Sequence, residues 1–289
     1  MTELVVDFGA DGANLVGIYT PAANSDLAAR RPTILFWNVG VSHRVGPQRL
    51  YCDLARIFSA LDFNVLRFDL GGLGDSIAAS SGKSRHEQEI YDIGTAMDYL
   101  SADYNQTKFV LIGFCSGAAT AHPVAVVDRR VVGLVMIDGY GYTTWQHGIR
   151  HFYRRLLSPA NIWSRMVRYL QTMLKTEVVV PGFFLDFPER SLVEQEIVGL
   201  VTRGVNILFL YTGGVQVYFN HVRQFWEMFP AVSRYAEMIT VKYFAGCNHM
   251  FMYKENRIEL LHCLQDWLLD RFGMCAEVGD KSESTREII

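Results

Sequence analysis

Cysteine is scarce in this chain and follows no pairing pattern. Five are spread over 289 residues, at Cys52, Cys115, Cys247, Cys263 and Cys275, with no CxxC pair among them. An odd, widely spaced set of this kind excludes a disulfide scaffold and the common zinc patterns. Long apolar runs are missing as well: none reaches the ~18 residues that a spanning helix needs. The opening Met1-Thr2-Glu3-Leu4 does not read as a signal peptide. Neither sign of charge dominates, the net being −3, so there is no global attraction to nucleic acid. Internal repeats and low-complexity segments are absent. The glycine-rich run Gly71-Gly72-Leu73-Gly74 lacks the Gly-Lys-Ser/Thr of a phosphate loop and is out of frame for a dinucleotide fingerprint. The expectation is a protein of the reducing cytoplasm, with no transmembrane segment, no metal or redox cofactor and a small molecule as its partner.

What is present fits an enzyme-sized globular chain. Half of the residues are hydrophobic and 20% are charged, enough for a large core. Residues 3–20 read as a two-stranded entry turning at Gly9-Ala10-Asp11-Gly12, and residues 21–31 as a polar link. Apolar strands are expected at 33–37, 63–68, 108–112, 131–137, 205–211 and 239–244. Between them lie helical patterns: Leu50, Leu54, Ile57, Phe58 and Leu61 share one face, then Ile90, Ile93, Met97 and Leu100, and finally Ile258, Leu261, Leu264, Trp267, Leu268 and Phe272. Such alternation implies a mostly parallel sheet covered by helices on both faces. The polar end, residues 276–289, reads as a disordered tail.

The most informative residues are Gly113-Phe114-Cys115-Ser116-Gly117. They follow the apolar run Lys108-Phe109-Val110-Leu111-Ile112 and precede the small residues Ala118-Ala119-Thr120-Ala121. The frame is G-x-Nu-x-G, a strand-to-helix turn that strains its central residue and lifts that side chain above the sheet. The flanking glycines answer a close approach of strand and helix. Cys115 is then the nucleophile. Ser116 is the competing one, but the frame turns its side chain toward the helix and packing. The plainer alternative is a small, buried, inert thiol.

With these elements in place the chain resembles the α/β-hydrolase fold over residues 3–272, apart from an insertion. Within that fold it resembles bacterial hydrolase-like proteins associated with exopolysaccharide and exosortase systems. The narrower likeness rests on Asn38-Val39-Gly40-Val41-Ser42-His43-Arg44-Val45-Gly46-Pro47, on Leu66-Arg67-Phe68-Asp69-Leu70-Gly71-Gly72-Leu73-Gly74-Asp75-Ser76, on the elbow, and on Gly246-Cys247-Asn248-His249. The local motif is also similar to the cysteine elbows of dienelactone hydrolases and polyhydroxyalkanoate synthases.

The resemblance implies roles for particular positions. A histidine after the last strand serves as base, and His249 occupies that slot; a loop histidine capping the final helix is the alternative. The acid usually follows strand 205–211, yet no Asp or Glu occurs between Glu196 and Glu227. Some relatives place it after the preceding strand, where Met136-Ile137-Asp138-Gly139 puts Asp138. Asp138 could instead cap a turn, and a Cys–His dyad could work with no acid. The oxyanion hole would use the amides of Ser116 and of Val41, with Gly40 next, Val39-Gly40-Val41 standing where relatives carry His-Gly-x. Asp69 and Asp75 are read as fixing their loop. His43, Arg44, Trp145 and His151 are the pocket candidates.

Residues 141–200 exceed an ordinary crossover and read as a helical cap over a core of 1–140 and 201–275. From Trp145 to Lys175 there are six basic residues and no acidic one, interleaved with aromatics and aliphatics. A solvated basic face is the plain reading. Docking of coenzyme A phosphates, an acyl-carrier phosphopantetheine arm or an anionic lipid surface is the sharper one. Three functions stay open: an ester or thioester hydrolase working through an acyl-Cys115, an acyltransferase or lyase using the same dyad, and a noncatalytic binding protein. Oligomeric state is not legible.

Overall fold

The computed structural model describes residues 2–9, 12–80, 82–150 and 187–273. Its eight strands are β1 (Leu4–Phe8), β2 (Leu15–Thr20), β3 (Thr33–Phe36), β4 (Val65–Phe68), β5 (Phe109–Phe114), β6 (Val131–Ile137), β7 (Asn206–Thr212) and β8 (Ile239–Phe244). They form one sheet in the order β1-β2-β4-β3-β5-β6-β7-β8. The β1–β2 and β2–β4 pairs are antiparallel; every other neighbouring pair is parallel.

The central strand shows why this sheet is buried on both sides. All six residues of β5 are buried. Because side chains alternate along a strand, Phe109 and Leu111 enter one apolar cluster while Val110, Ile112 and Phe114 enter the other. Three long helices cover the first face: α2 (Arg85–Tyr104), α3 (Ser116–Val127) and α4 (Arg190–Thr202). Two cover the second: α1 (Leu50–Ala60) and α5 (Lys254–Phe272). Helix α2 begins at a capping box, with Ser84 accepting from the Glu87 amide and the Glu87 carboxylate accepting from the Ser84 amide.

Three features depart from the sequence reading. The polar link contains a one-turn helix, Ser25–Ala28, started by Asn24, whose side chain accepts from the Asp26 and Leu27 amides. Two short helical segments, Gln224–Met228 and Pro230–Tyr235, precede β8. The third concerns the insertion at 141–200. Its C-terminal end is α4, and Val193, Ile197, Leu200 and Val201 lie in the first core cluster. This end is a core layer packed against α3, because β6 must reach β7 by a crossover that covers the sheet. Residues 145–150 are helical. Residues 151–186 of the expected cap, with His151 and most of the basic stretch, and the expected tail at 276–289 lie outside the described residues.

Candidate active site

Parallel strands β5, β6, β7 and β8 end side by side, and each loop leaving them carries a residue of the site. After β5 the backbone turns at Cys115, with φ 54° and ψ −115°. A non-glycine residue there carries about 1–3 kcal/mol of strain, which the surrounding structure must hold. The Cys115 amide donates to the Ile137 carbonyl at 2.8 Å, and the Ala118 amide donates back to the Cys115 carbonyl at 3.0 Å. Gly113 is required by proximity: a β-carbon on it would lie 2.3 Å from the Gly117 carbonyl oxygen. Cys115 is half-buried, with its side chain at the border of the second core cluster.

After β6 comes Asp138, fully buried and also in the left-handed region at φ 49°. A buried carboxylate needs several partners, and it has them. Thr212, at the end of β7, donates its amide to Oδ1 at 2.6 Å and its hydroxyl to Oδ2 at 2.7 Å. His249, after β8, places Nδ1 2.7 Å from Oδ2. Since a carboxylate only accepts, that contact puts a proton on Nδ1 and leaves Nε2 for the opposite side of the ring. Burial lowers the His249 pKa, but hydrogen bonds to Asp138 and to Cys115 outweigh it and push the group up to about 10. Carboxylate and thiol thus both favour the protonated imidazole.

Two glycines let His249 come this close. A β-carbon on Gly214 would stand 2.5 Å from the His249 amide nitrogen, and one on Gly213 would stand 2.2 Å from the Ala245 carbonyl oxygen. The loop after β7 therefore carries no acid of its own and makes room for the histidine loop instead. Cys247, in the same loop as His249, is buried, and desolvation with the nearby Asp138 charge pushes its thiol up to about 11. Tyr218 hangs over the same corner. Its hydroxyl donates to the Asp138 carbonyl at 3.4 Å, and burial, then Asp138 and Cys115, raise its pKa.

On the oxyanion side, the Gly40 amide, at φ 56°, donates to Ser116 Oγ at 2.8 Å. Gly40 is the residue brought against the elbow, whereas Val41 is 80% exposed. Of the four pocket candidates, Arg44 points into the protein. Its guanidinium pairs with buried Asp69 and reaches Asp75 at 2.7 Å, while its amide donates to Asp69 at 2.7 Å. Asn38 also donates to Asp69, at 2.8 Å. This network ties the loop after β3 to the loop after β4. Arg44 is committed to it because Asp69 would otherwise be a buried, uncompensated charge. His43 stays near the surface beside it, Trp145 is 77% exposed, and His151 is outside the described residues. His43, Asp69 and Asp75 each bring a ligand atom within 4.8 Å of the others; the Arg44 guanidinium already supplies positive charge to both carboxylates there.

Thr212, Tyr218 and the Gly213-Gly214 pair were not legible as site residues. The signal that could have pointed to them is the small, uncharged stretch where the acid is usually sought.

No protein-family model matches the chain, and no curated protein matches it. Solved structures do. They include the esterase Pf2001 of Pyrococcus furiosus, 15% identical with a TM-score of 0.60, covering 94% of this chain and 91% of its own. The α/β hydrolase GrgF from Penicillium sp. sh18 is 14% identical with a TM-score of 0.59, covering 95% and 100%. The esterase domain of a Rhodothermus marinus protein is 18% identical with a TM-score of 0.57, covering 94% and 99%. The fold is the α/β-hydrolase fold. At such identities the likeness concerns the fold alone. In hydrolase-fold terms the elbow residue follows β5 and the histidine follows β8. The carboxylate follows β6, and a threonine from the end of β7 holds it.

Proposed function

We propose that the protein is an acyl-group hydrolase acting on an ester or thioester through an acyl-Cys115 intermediate. The observation that carries this reading is the 2.7 Å contact between His249 Nδ1 and the buried Asp138 carboxylate, which leaves Nε2 for the thiol of the strained elbow. An imidazolium oriented this way stabilises a thiolate beside it. Cys115 transfers its proton to His249 and sulfur adds to the substrate carbonyl carbon. The resulting oxyanion takes a hydrogen bond from the Ser116 amide at the start of α3. On collapse the carbon–oxygen or carbon–sulfur bond of the leaving group breaks, and that group takes the proton from His249. Water then attacks the acyl-cysteine, gives a proton to His249, and releases the acid as the proton returns to sulfur. Asp138 keeps the ring oriented throughout.

A thioester intermediate reacts readily with nucleophiles other than water, so an acyltransferase is the second reading, and a lyase using the same dyad remains within it. The contact of Asp138 with His249 supports either enzyme reading over a noncatalytic binding protein, although the loop after β7 carries no acid. Coenzyme A or an acyl carrier as the thiol portion of the substrate rests on the basic stretch. Arg150 of that stretch is committed elsewhere, its guanidinium pairing with both oxygens of Glu227 at 2.9 Å. Cys52, Cys115, Cys247 and Cys263 are free thiols, which fits the cytoplasm as the proposed compartment. Among the described residues no helix is long and apolar enough to cross a membrane.

The test is incubation with an activated acyl ester followed by peptide mass spectrometry. We expect acyl on Cys115 in the wild type and no turnover in Cys115→Ala. Undiminished turnover in Cys115→Ala overturns the reading. Free acid against acylated acceptor in the product separates hydrolysis from transfer.

A further inference from the structure

The Gly40 amide meets a hydroxyl where the hydrolase fold expects open space for a substrate oxygen. Ser116 Oγ accepts from it at 2.8 Å. A serine oxygen that accepts one hydrogen bond still has its own proton to give, and among the described residues nothing accepts that proton. The Ser116 amide is free as well in its own helix, because the first amides of α3 have no intrahelical acceptor. Amide and hydroxyl of one serine sit on adjacent carbons and can both reach a single acceptor oxygen. In an acyl-Cys115 intermediate, that acceptor would be the acyl oxygen on the neighbouring sulfur.

We propose that the Ser116 hydroxyl is itself an oxyanion donor, and that Gly40 is a positioning residue acting through it. The proposal rests on the acyl-Cys115 reading above. The Gly40 N–H polarises the hydroxyl and fixes its oxygen, so the O–H is directed at the developing charge; hydrogen bonds in series strengthen one another. Two donors then come from one residue, the Ser116 N–H and the Ser116 O–H. The Gly40 amide cannot simply replace the hydroxyl, since it stands one hydrogen bond farther from the acyl oxygen. The nucleophile assignment is unaffected: the side chain competing with Cys115 in the sequence becomes its partner.

The experiment measures acylation of Cys115 by a short-chain p-nitrophenyl ester in wild type, Ser116→Ala and Ser116→Thr, together with inhibition by the corresponding aldehyde. That aldehyde adds to sulfur and forms a tetrahedral oxyanion without a leaving group. Removing one oxyanion donor costs on the order of 10²-fold in kcat. We therefore expect Ser116→Ala to lose about that factor in kcat with little change in KM, and to lose aldehyde affinity in parallel. Ser116→Thr, which keeps the hydroxyl, should retain most of both. Equal or faster acylation in Ser116→Ala, or aldehyde affinity that does not move, overturns the hydroxyl's role while leaving Cys115 in place. A wild type that is never acylated at Cys115 overturns both this inference and the reading beneath it.

Discussion

Asp138 is the residue whose surroundings say most about this site. It is fully buried, yet its two carboxylate oxygens meet the Thr212 amide, the Thr212 hydroxyl and His249 Nδ1, all within 2.7 Å. Two donors from Thr212 hold the carboxylate in place; the third contact is the one that orients a ring. Replacing the acid by its amide would keep the shape and present a donor where Nδ1–H needs an acceptor, favouring the wrong tautomer. Asp138→Asn should therefore lower kcat for Cys115 acylation by about 10²-fold or more while the protein stays folded. Single-turnover kinetics with circular dichroism would check it, and a variant acylated at the wild-type rate would reduce the site to a Cys–His dyad. Asp138 as a candidate acid was open to reading from Met136-Ile137-Asp138 at a strand end. Thr212 was not, because a threonine closing a buried strand has no sequence mark that distinguishes it from a strand residue.

Among the elements, the turns do the positioning. The β5–α3 elbow depends on Gly113, where any β-carbon would meet backbone, the Gly117 carbonyl at 2.3 Å. Backbone cannot move aside as a flexible side chain can. Gly113→Ala should cost about 3 kcal/mol, the upper range for overpacking, as measured by urea unfolding. Gly214 lies on an exposed loop, where its β-carbon would meet the His249 backbone at 2.5 Å. Gly214→Ala should keep most of the stability and lose activity, because the histidine loop can shift outward but then leaves Asp138. Full activity in Gly214→Ala would mean that the loop accommodates the methyl without moving the ring. The elbow was legible because its glycines sit at fixed spacing between an apolar run and a run of small residues. The role of Gly214 was not, since it is defined by a loop that meets it only in the folded chain.

For the whole molecule, two histidines with opposite shifts shape the pH range of stability. His249 is raised from the ordinary 6.5 to about 10, so the folded state binds its proton more tightly than the unfolded chain. That contribution is fully present below about 6.5 and is lost as pH rises toward about 10. His122, buried in α3 with Nδ1 3.5 Å from Glu196 and its ring edge-on to Tyr140, is pushed down to about 4 by burial. Its unfolded form takes up a proton first, so stability is lost as pH falls from about 6.5 to about 4. Urea unfolding across this range should show both limbs. His249→Asn should flatten the alkaline limb and His122→Leu the acid one; unchanged slopes would contradict the assignments.

By itself the sequence determined the alternation of strand and helix, the two-sided burial of the central strands and the elbow at Cys115. Each depends on residues within a few positions of one another, whose periodicity and steric demands act locally. Only the tertiary structure decided which distant groups meet. His249 reaches Asp138 across 111 positions, Arg44 turns inward to Asp69, Gly40 rather than Val41 faces Ser116, and α4 joins the core. Those outcomes follow from strand order and register, which set where each loop emerges at the end of the sheet, and no local pattern encodes them.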